Sequence, residues 1–326
     1  MSGIELPRIG MGTAGIGNLY APVSADEARA TLAAAWDAGI RFFDTAPHYG
    51  FGLAEKRLGE GLATLDTAGE AILSTKVGRL LAPTESKARE RHGFVDAEPF
   101  EPVFDYSRDA ILRSHEESLA RLRRDGIDLL LAHDIGELTH GAENERHMRD
   151  FLDTGYKAMD ELKRAGAIKA VGIGVNEVEV CLYLLERVEL DVILLAGRYT
   201  LLDRRAAAEL LPLCAERGVK VIVGGPYNSG ILAQPTALQR DPRFDYERPP
   251  EAILARAEAL ERVCLSHAVE LGAAALQFPL RHPAVASVIP GLVGKEQVDQ
   301  TVSRLAADVP EPLWNELQAM GEGVTA

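Results

Sequence analysis

The chain has little cysteine, no excess of positive charge and no long apolar run, and each shortage closes a class of function. Cys181, Cys214 and Cys264 are the 3 cysteines among 326 residues. An odd, scattered set excludes a disulfide-stapled secreted scaffold and matches a reduced intracellular protein. Acidic residues outnumber basic ones by 49 to 35, giving a net charge of -14 and a pI near 5.1. Such a surface repels phosphate backbones and anionic lipid, so neither nucleic acid nor membrane is expected as a partner. No apolar stretch approaches the roughly 18 residues that span a bilayer. The opening segment, MSGIELPRIG, has no charged region leading into an apolar core, so no signal peptide is expected and the location reads as cytoplasmic. Metal-ligand spacing is missing too. His140 and His147 sit in the polar stretch THGAENERH with neither HExxH nor paired cysteines beside them, and no metal site is expected.

What is present is a rhythm of short apolar run followed by amphipathic helix. Hydrophobic residues make up 47% of the chain, enough for a large core. Strands are expected at Ile9 to Gly12, Arg41 to Asp44, Ala71 to Val77 and Ile127 to His133, then at Ala170 to Val175, Asp191 to Ala196, Lys220 to Gly224 and Ala286 to Pro290. Runs such as IDLLLAH, DVILLAG and KVIVGG are almost wholly apolar, which suits parallel strands buried on both faces. Helices are expected between them: from the capping-box pattern SADE at Ser24 to Glu27 as far as Asp37, then Leu53 to Leu62, Ser107 to Arg124, Gly155 to Ala165, Glu177 to Arg187, Ala206 to Arg217, Glu251 to Leu271 and Lys295 to Leu305. Gly39, Gly126, Gly166 and Gly218 stand where a helix-terminating glycine belongs. Eight strands alternating with eight helices fit one (β/α)₈ barrel or two doubly wound sheets. No linker or composition break divides the chain. The expected fold is therefore α/β, a single TIM barrel domain over 1–326 with extended βα loops, closed off by a C-terminal helix at PEPLWNELQAM.

Four residues stand at or just past the ends of expected strands: Asp44 and Tyr49 in RFFDTAPHYG, Lys76 in AILSTKVG and His133 in IDLLLAHD. In a barrel these ends converge on the active face. A carboxylate, a phenol, an amine and an imidazole form a proton-handling set. The ammonium favours phenolate over phenol, which is expected to draw the Tyr49 pKa down towards working pH. Asp44 would hold the ammonium charged, and His133 would hydrogen-bond a substrate oxygen. A lone Tyr or His at a strand end is usually packing, but four suitable groups at three strand ends are less easily accidental. His48 adjoins Tyr49 and is expected near the same mouth, touching substrate or serving structure. Long loops at Arg79 to Tyr106, Asp134 to Asp153 and Ser229 to Pro250 should decorate that mouth. Gly10, Gly12 and Gly15 spell GxGxxG, but a dinucleotide turn must lead straight into a helix. Here Gly17, Asn18 and Pro22 delay the helix to Ser24, so a tight loop after the first strand is expected instead.

Over nearly its whole length the chain resembles the aldo-keto reductases. The resemblance rests on FFDTAPHYG, GLAEKRLGEGL, STK and LLLAHD, which carry Asp44, Tyr49, Lys76 and His133. At the matching positions that family has its catalytic tetrad, with the Tyr as general acid and base. HDIGELTHG, VGIGVNEVEV, LLAGRYTLLD, LPLCAERGV and GGPYNSGIL further resemble a bacterial branch of aldose 1-dehydrogenases, which also holds pyridoxal 4-dehydrogenase and lies near the L-galactose dehydrogenases. The resemblance implies oxidation at the anomeric carbon of an aldose, such as L-fucose or L-galactose, to the lactone. Pyridoxal is the alternative substrate, and a cofactor-binding regulatory subunit is the alternative of another class. The partner implied is a small molecule, and the oligomeric state stays open.

A nicotinamide cofactor is implied with it, held by Gly12, Thr13, Asn176, Asn228, Ser229, Gly230, Pro290, Gly291 and Gln297. The chain departs from the family in three places. Gly174, Val175 and Asn176 stand where a Ser-Asn pair is usual, Ala196 stands for a Gln with Arg198 close by, and Gly225 replaces a stacking aromatic, with Tyr227 two residues on. After the last strand, NADP-using relatives carry Lys-Ser and later Arg to cradle the 2′-phosphate. This chain reads IPGLVGKEQVDQ, with Gly291 and Leu292, then Gln297, at those positions and Lys295 nearby. NAD is expected as the cofactor, with NADP weaker.

Overall fold

The computed structural model describes residues 4–321. Numbering only the strands of the main sheet, β1 is Met11–Gly12, β2 Phe42–Asp44, β3 Ile72–Val77 and β4 Leu129–His133. They are followed by β5 (Ala170–Val175), β6 (Val192–Ala196), β7 (Lys220–Gly224) and β8 (Val285–Ile289). All neighbours pair in parallel and in sequence order. The first and last strands meet through parallel bridges Ile9↔Val288 and Gly12↔Gly291, with the Gly10 and Gly12 amides donating to the Val288 and Pro290 carbonyls at 2.9 Å each. The sheet is thus a (β/α)₈ barrel, as the sequence rhythm implies. Gly10 permits the closure. A Cβ there would lie 2.5 Å from the Phe42 ring, so the first glycine of the GxGxxG string serves packing.

Alternation along each strand divides the core. Phe42, Leu129, Leu131, Val192, Leu194 and Ile222 fill the barrel interior. Their neighbours Leu130, Ala132, Ile193, Leu195, Val221 and Val223 face the helices. Both faces are covered, which is why these strands read as continuous apolar runs. The helices packed around the barrel are α1 (Ala25–Asp37), α2 (Leu53–Leu65), α3 (Arg108–Leu122), α4 (Tyr156–Arg164), α5 (Val178–Leu185) and α6 (Leu210–Arg217), then α7 (Glu251–Ser266), α8 (Leu271–Gln277), α9 (Gly294–Ala306) and α10 (Glu311–Ala319). The stretch expected as a loop from Asp134 to Asp153 is largely helical instead, with short helices Glu137–His140 and Asn144–Asp150 and a π-helix, Phe151–Gly155, that runs into α4. Ser24 caps α1 by accepting the Glu27 amide at 3.1 Å. Trp314 is buried beside Leu313 and Leu317, so α10 packs on the barrel.

Three expectations about helices fail. The single helix expected over Glu251 to Leu271 is two helices, α7 and α8, bent by 100°. Ala268 turns the chain with φ 57, a left-handed position usually marked by Gly and therefore invisible in sequence. Gly126 does not end α3; Arg123 takes the left-handed cap at φ 54. The helix expected from Ala206 starts instead as a 3₁₀ turn, Arg205–Ala207, before α6. The loop from 79 to 106 is also more ordered than a plain connection. It folds as two antiparallel ribbons, Arg79–Pro83 with Phe100–Phe104 and Glu90–Arg91 with Phe94–Val95. Among the described residues no single helix is long and apolar enough to cross a membrane, and no group of three His, Cys, Asp or Glu could hold a metal.

Candidate active site

Strand register delivers the four residues to one end of the barrel. Asp44 closes β2 opposite Ser74, Lys76 lies on β3 opposite Leu131, and His133 closes β4 opposite Gly174. Lys76 Nζ donates to Asp44 Oδ2 at 2.7 Å and to the Thr45 carbonyl at 2.8 Å. The other oxygen of Asp44 accepts the Ser74 hydroxyl at 2.8 Å. Gly174 leaves room for the lysine, since a Cβ there would sit 3.2 Å from Lys76 Cε. The ammonium lies 4.8 Å from the centroid of the Tyr49 ring, which meets the His133 ring edge-on at 6.0 Å. Ammonium, phenol and imidazole therefore share one small volume, which is what a proton transfer to or from a bound oxygen requires.

Burial governs the charges. Lys76 is 1% exposed. Desolvation alone would lower its pKa, but Asp44 and Tyr49 outweigh that and raise it, so the ammonium is fixed. The expected lowering of the Tyr49 pKa is overturned. Desolvation of the buried phenol pushes it up to about 12, and the opposing pull of Lys76 recovers only part. Tyr49 is a phenol at neutral pH. His133 and His48 are both held well below the usual imidazole range, first by burial and then by the positive Arg79 and Lys76. They are neutral imidazoles, and the buried Nδ1 of each has no hydrogen-bond partner among the described residues.

These groups open onto a cavity of about 530 Å³, lined by His48, Tyr49, Lys76 and His133 on the barrel side. Two of the long loops form its outer wall: His92 and Phe94 come from the first, Arg243, Asp245, Tyr246 and Glu247 from the last. The last loop is tied down where Arg198 donates to Asp245 at 2.7 Å and the Tyr246 amide to Ser229 Oγ at 3.0 Å. Sequence reading did not single out Arg79 and Asp134, which line the same cavity as an ion pair. Their signal was position: Arg79 is three residues past Lys76 and Asp134 directly follows His133.

The residues expected to hold a cofactor are spread around the mouth. Asn176 lines the cavity; its amide donates to the Ala196 carbonyl at 3.3 Å, and its side chain also meets the Tyr246 phenol. Thr13 directs both its amide and its hydroxyl to the Asp44 carbonyl, at 3.0 and 2.9 Å. Gly12 and Pro290 form the barrel seam. Asn228 is buried, with its amide on the Gly197 carbonyl at 3.2 Å and its Oδ1 unpartnered. Ser229 accepts from Tyr246, and Gln297 Oε1 accepts the Val293 amide at 2.9 Å. Tyr227 turns to Arg304, not into the cavity. A dinucleotide fits this set. Backbone at Gly230 and Gly291 is uncovered, with nothing within 4 Å of a Cβ position, and an amide side chain stands at the cavity wall.

The aldo/keto reductase family profile matches residues 8–322. The chain is 42% identical over 330 residues to a pyridoxal 4-dehydrogenase of Microbacterium luteolum, covering 98% of this chain and 95% of that protein. It is 40% identical over 321 residues to a D-threo-aldose 1-dehydrogenase of a Pseudomonas species, covering 97% and 94%. An aldo-keto reductase from Bacillus halodurans in its holo form matches the fold with TM-score 0.76 at 27% identity, covering 98% of this chain and 93% of that one. With the parallel barrel and a match over almost its full length, the chain belongs to the aldo/keto reductase family and is an oxidoreductase of the kind that works with a nicotinamide cofactor.

Proposed function

We propose that the protein is an NAD-dependent aldose 1-dehydrogenase that oxidises the anomeric carbon of a sugar such as L-fucose or L-galactose to the lactone. The observation that carries this reading is the Asp44–Lys76–Tyr49–His133 group at the floor of a cavity whose lining sets Arg79, Asp134, Asn176 and Asp245 among apolar residues such as Leu19, Phe94 and Val175. A polyhydroxylated ring can replace with its own hydroxyls the water that such walls hold. NAD, when bound, would supply the acceptor for the hydride from C1. The protein's part is the proton. The C1 hydroxyl sits between Tyr49 and His133, Tyr49 as phenolate accepts its proton, and C1 becomes a carbonyl. Lys76 stabilises the phenolate, Asp44 keeps Lys76 charged and aimed, and neutral His133 orients the hydroxyl. Asn176, Gly230 and Gly291 would hold the cofactor. Atoms balance as aldose plus NAD⁺ giving lactone, NADH and a proton.

Pyridoxal, oxidised through its cyclic hemiacetal by the same chemistry, is the second reading, favoured by the 42% identity to a pyridoxal 4-dehydrogenase. The 40% identity to a D-threo-aldose 1-dehydrogenase supports the first. Steady-state formation of reduced nicotinamide with L-fucose, L-galactose, D-arabinose and pyridoxal, each with NAD and with NADP, tests them. An aldose is expected to give the highest kcat/KM with NAD. A lead of more than tenfold for pyridoxal replaces the reading, and absence of turnover with every substrate leaves only a cofactor-binding role.

A further inference from the structure

Beside the four proton-handling residues lies a second charged constellation that the reaction does not use. The Arg79 guanidinium donates through one terminal nitrogen to Asp134 Oδ2. The two side chains are only 11% and 18% exposed, and what they expose faces the cavity. The arrangement is unfinished. Arg79 Nε is buried without a hydrogen-bond partner among the described residues, and the guanidinium lies over the Phe104 ring, 4.9 Å from its centroid. Asp134 sits at φ 47, a left-handed conformation that costs a non-glycine residue energy and is common where a side chain must be aimed at a ligand. Its amide is anchored to the Gly174 carbonyl at 2.8 Å, and its Oδ2 lies 3.6 Å from His133 Nε2. The carboxylate is therefore fixed beside the imidazole that would orient the reacting hydroxyl.

A buried ion pair seldom adds stability over apolar side chains of equal size, so stability alone gives no reason for one at this cavity. Each hydroxyl of a sugar can both donate and accept. A carboxylate accepts and a guanidinium donates, so the two side by side complement two adjacent hydroxyls of one ring. The geometry points to Arg79 and Asp134 as the element that selects a vicinal diol on the substrate, next to the carbon being oxidised. This deepens the aldose reading and rests on it. It names the residues that would favour a polyhydroxylated ring over a flat aromatic hemiacetal.

The test pairs changes in the protein with changes in the sugar. Wild type, Asp134→Asn and Arg79→Lys are compared on the best aldose and on its analogues deoxygenated at C2, C3 or C4. Wild type should lose about ten- to hundredfold in kcat/KM on at least one deoxy analogue, the worth of a hydrogen bond to a charged group. Each variant should lose a similar factor on the parent sugar yet less than about threefold on that analogue, because the partner is already missing. Equal losses on parent and analogue in both variants would reduce the pair to a structural role and overturn the inference. So would a wild type indifferent to every deoxygenation, a result that needs no variant to fold. Turnover of pyridoxal with none of any aldose overturns the aldose reading itself, and the inference goes with it. Quenching of intrinsic fluorescence by NAD shows separately that each variant is folded.

Discussion

The Tyr106 hydroxyl donates to the backbone carbonyl of His133 at 2.6 Å. Its oxygen also lies 3.0 Å from His140 Nε2. The ring is wholly buried and lies against Gly78, where a Cβ would come within 2.3 Å of it. One side chain thus spans the exits of β3 and β4, the strands that carry Lys76 and His133. Tyr106→Phe keeps the ring but leaves a buried carbonyl short of a donor, at a cost of about 1–3 kcal/mol. Turnover should drop by about tenfold as the His133 backbone loosens, while NAD affinity is retained. Urea unfolding and steady-state kinetics on the same preparation check both parts, and unchanged kcat would reduce Tyr106 to packing.

Tyr49→Phe should abolish turnover and leave cofactor affinity within about threefold, since it removes the proton acceptor and little volume. Near-normal activity in that variant at neutral pH would sink the assignment of the base. Lys76→Met should be severe as well, because the phenolate then loses the ammonium beside its ring.

The pH dependence follows from burial of the same phenol. Its pKa is raised to about 12, so the phenolate needed for oxidation is scarce at neutral pH and grows as pH rises. The phenol needed for the reverse reduction is plentiful throughout. Oxidation should therefore climb through the alkaline range, approaching about tenfold per unit, while carbonyl reduction stays flat or falls. Tyr49→Phe should lack the rising limb. A wild-type oxidation rate that declines between pH 7 and 9 would contradict this account.

The barrel was legible because both strand faces are buried, which turns β4, β6 and β7 into unbroken apolar runs in the sequence. Asp44, Tyr49, Lys76 and His133 were legible because strand ends in this fold share one face. What sequence could not carry was energy that depends on burial. The balance at Tyr49 between desolvation and Lys76 has no trace in residue order. The Arg79–Asp134 pair left only a positional hint beside Lys76 and His133, and that the two side chains meet across 55 residues is set by strand register. The break at Ala268 escaped for a local reason: a left-handed turn without glycine leaves no mark.

Stability should hinge on a charge the reaction does not touch. Glu55 is fully buried, accepting the Thr75 hydroxyl and Arg121 Nε at 2.6 Å each. It joins α2 to β3 and α3. Arg121→Met would leave that carboxylate without its cation, which costs about 3–5 kcal/mol. The melting temperature should fall well below that of wild type. Replacing Glu55 and Arg121 together by Gln and Met should restore much of the loss, because the unpaired charge is then gone. A single variant as stable as wild type would show that the pair contributes nothing.

The cofactor preference should be NAD over NADP, and the first turn of α9 supplies the reason. A 2′-phosphate needs free cations, with Arg suited to bidentate contact. The one lysine in this turn is engaged: Lys295 Nζ lies 2.7 and 2.6 Å from the two oxygens of Asp299. Gln297 folds back to accept the Val293 amide at 2.9 Å, and Glu296, in the same turn, opposes a second anion. The Gly294 amide is also taken, by Thr31 Oγ1 at 2.8 Å, so the helix start offers a phosphate less than an open N-terminus would. Absence of one charge-assisted contact is worth roughly 1.5–3 kcal/mol, or about ten- to hundredfold in affinity. NADP should bind more weakly than NAD by about that factor. Asp299→Asn, which releases Lys295, and Gln297→Arg should each narrow the gap, and together they should close most of it. Fluorescence titration of wild type and variants with both cofactors measures this directly, and tighter binding of NADP by wild type would show that the phosphate is held elsewhere.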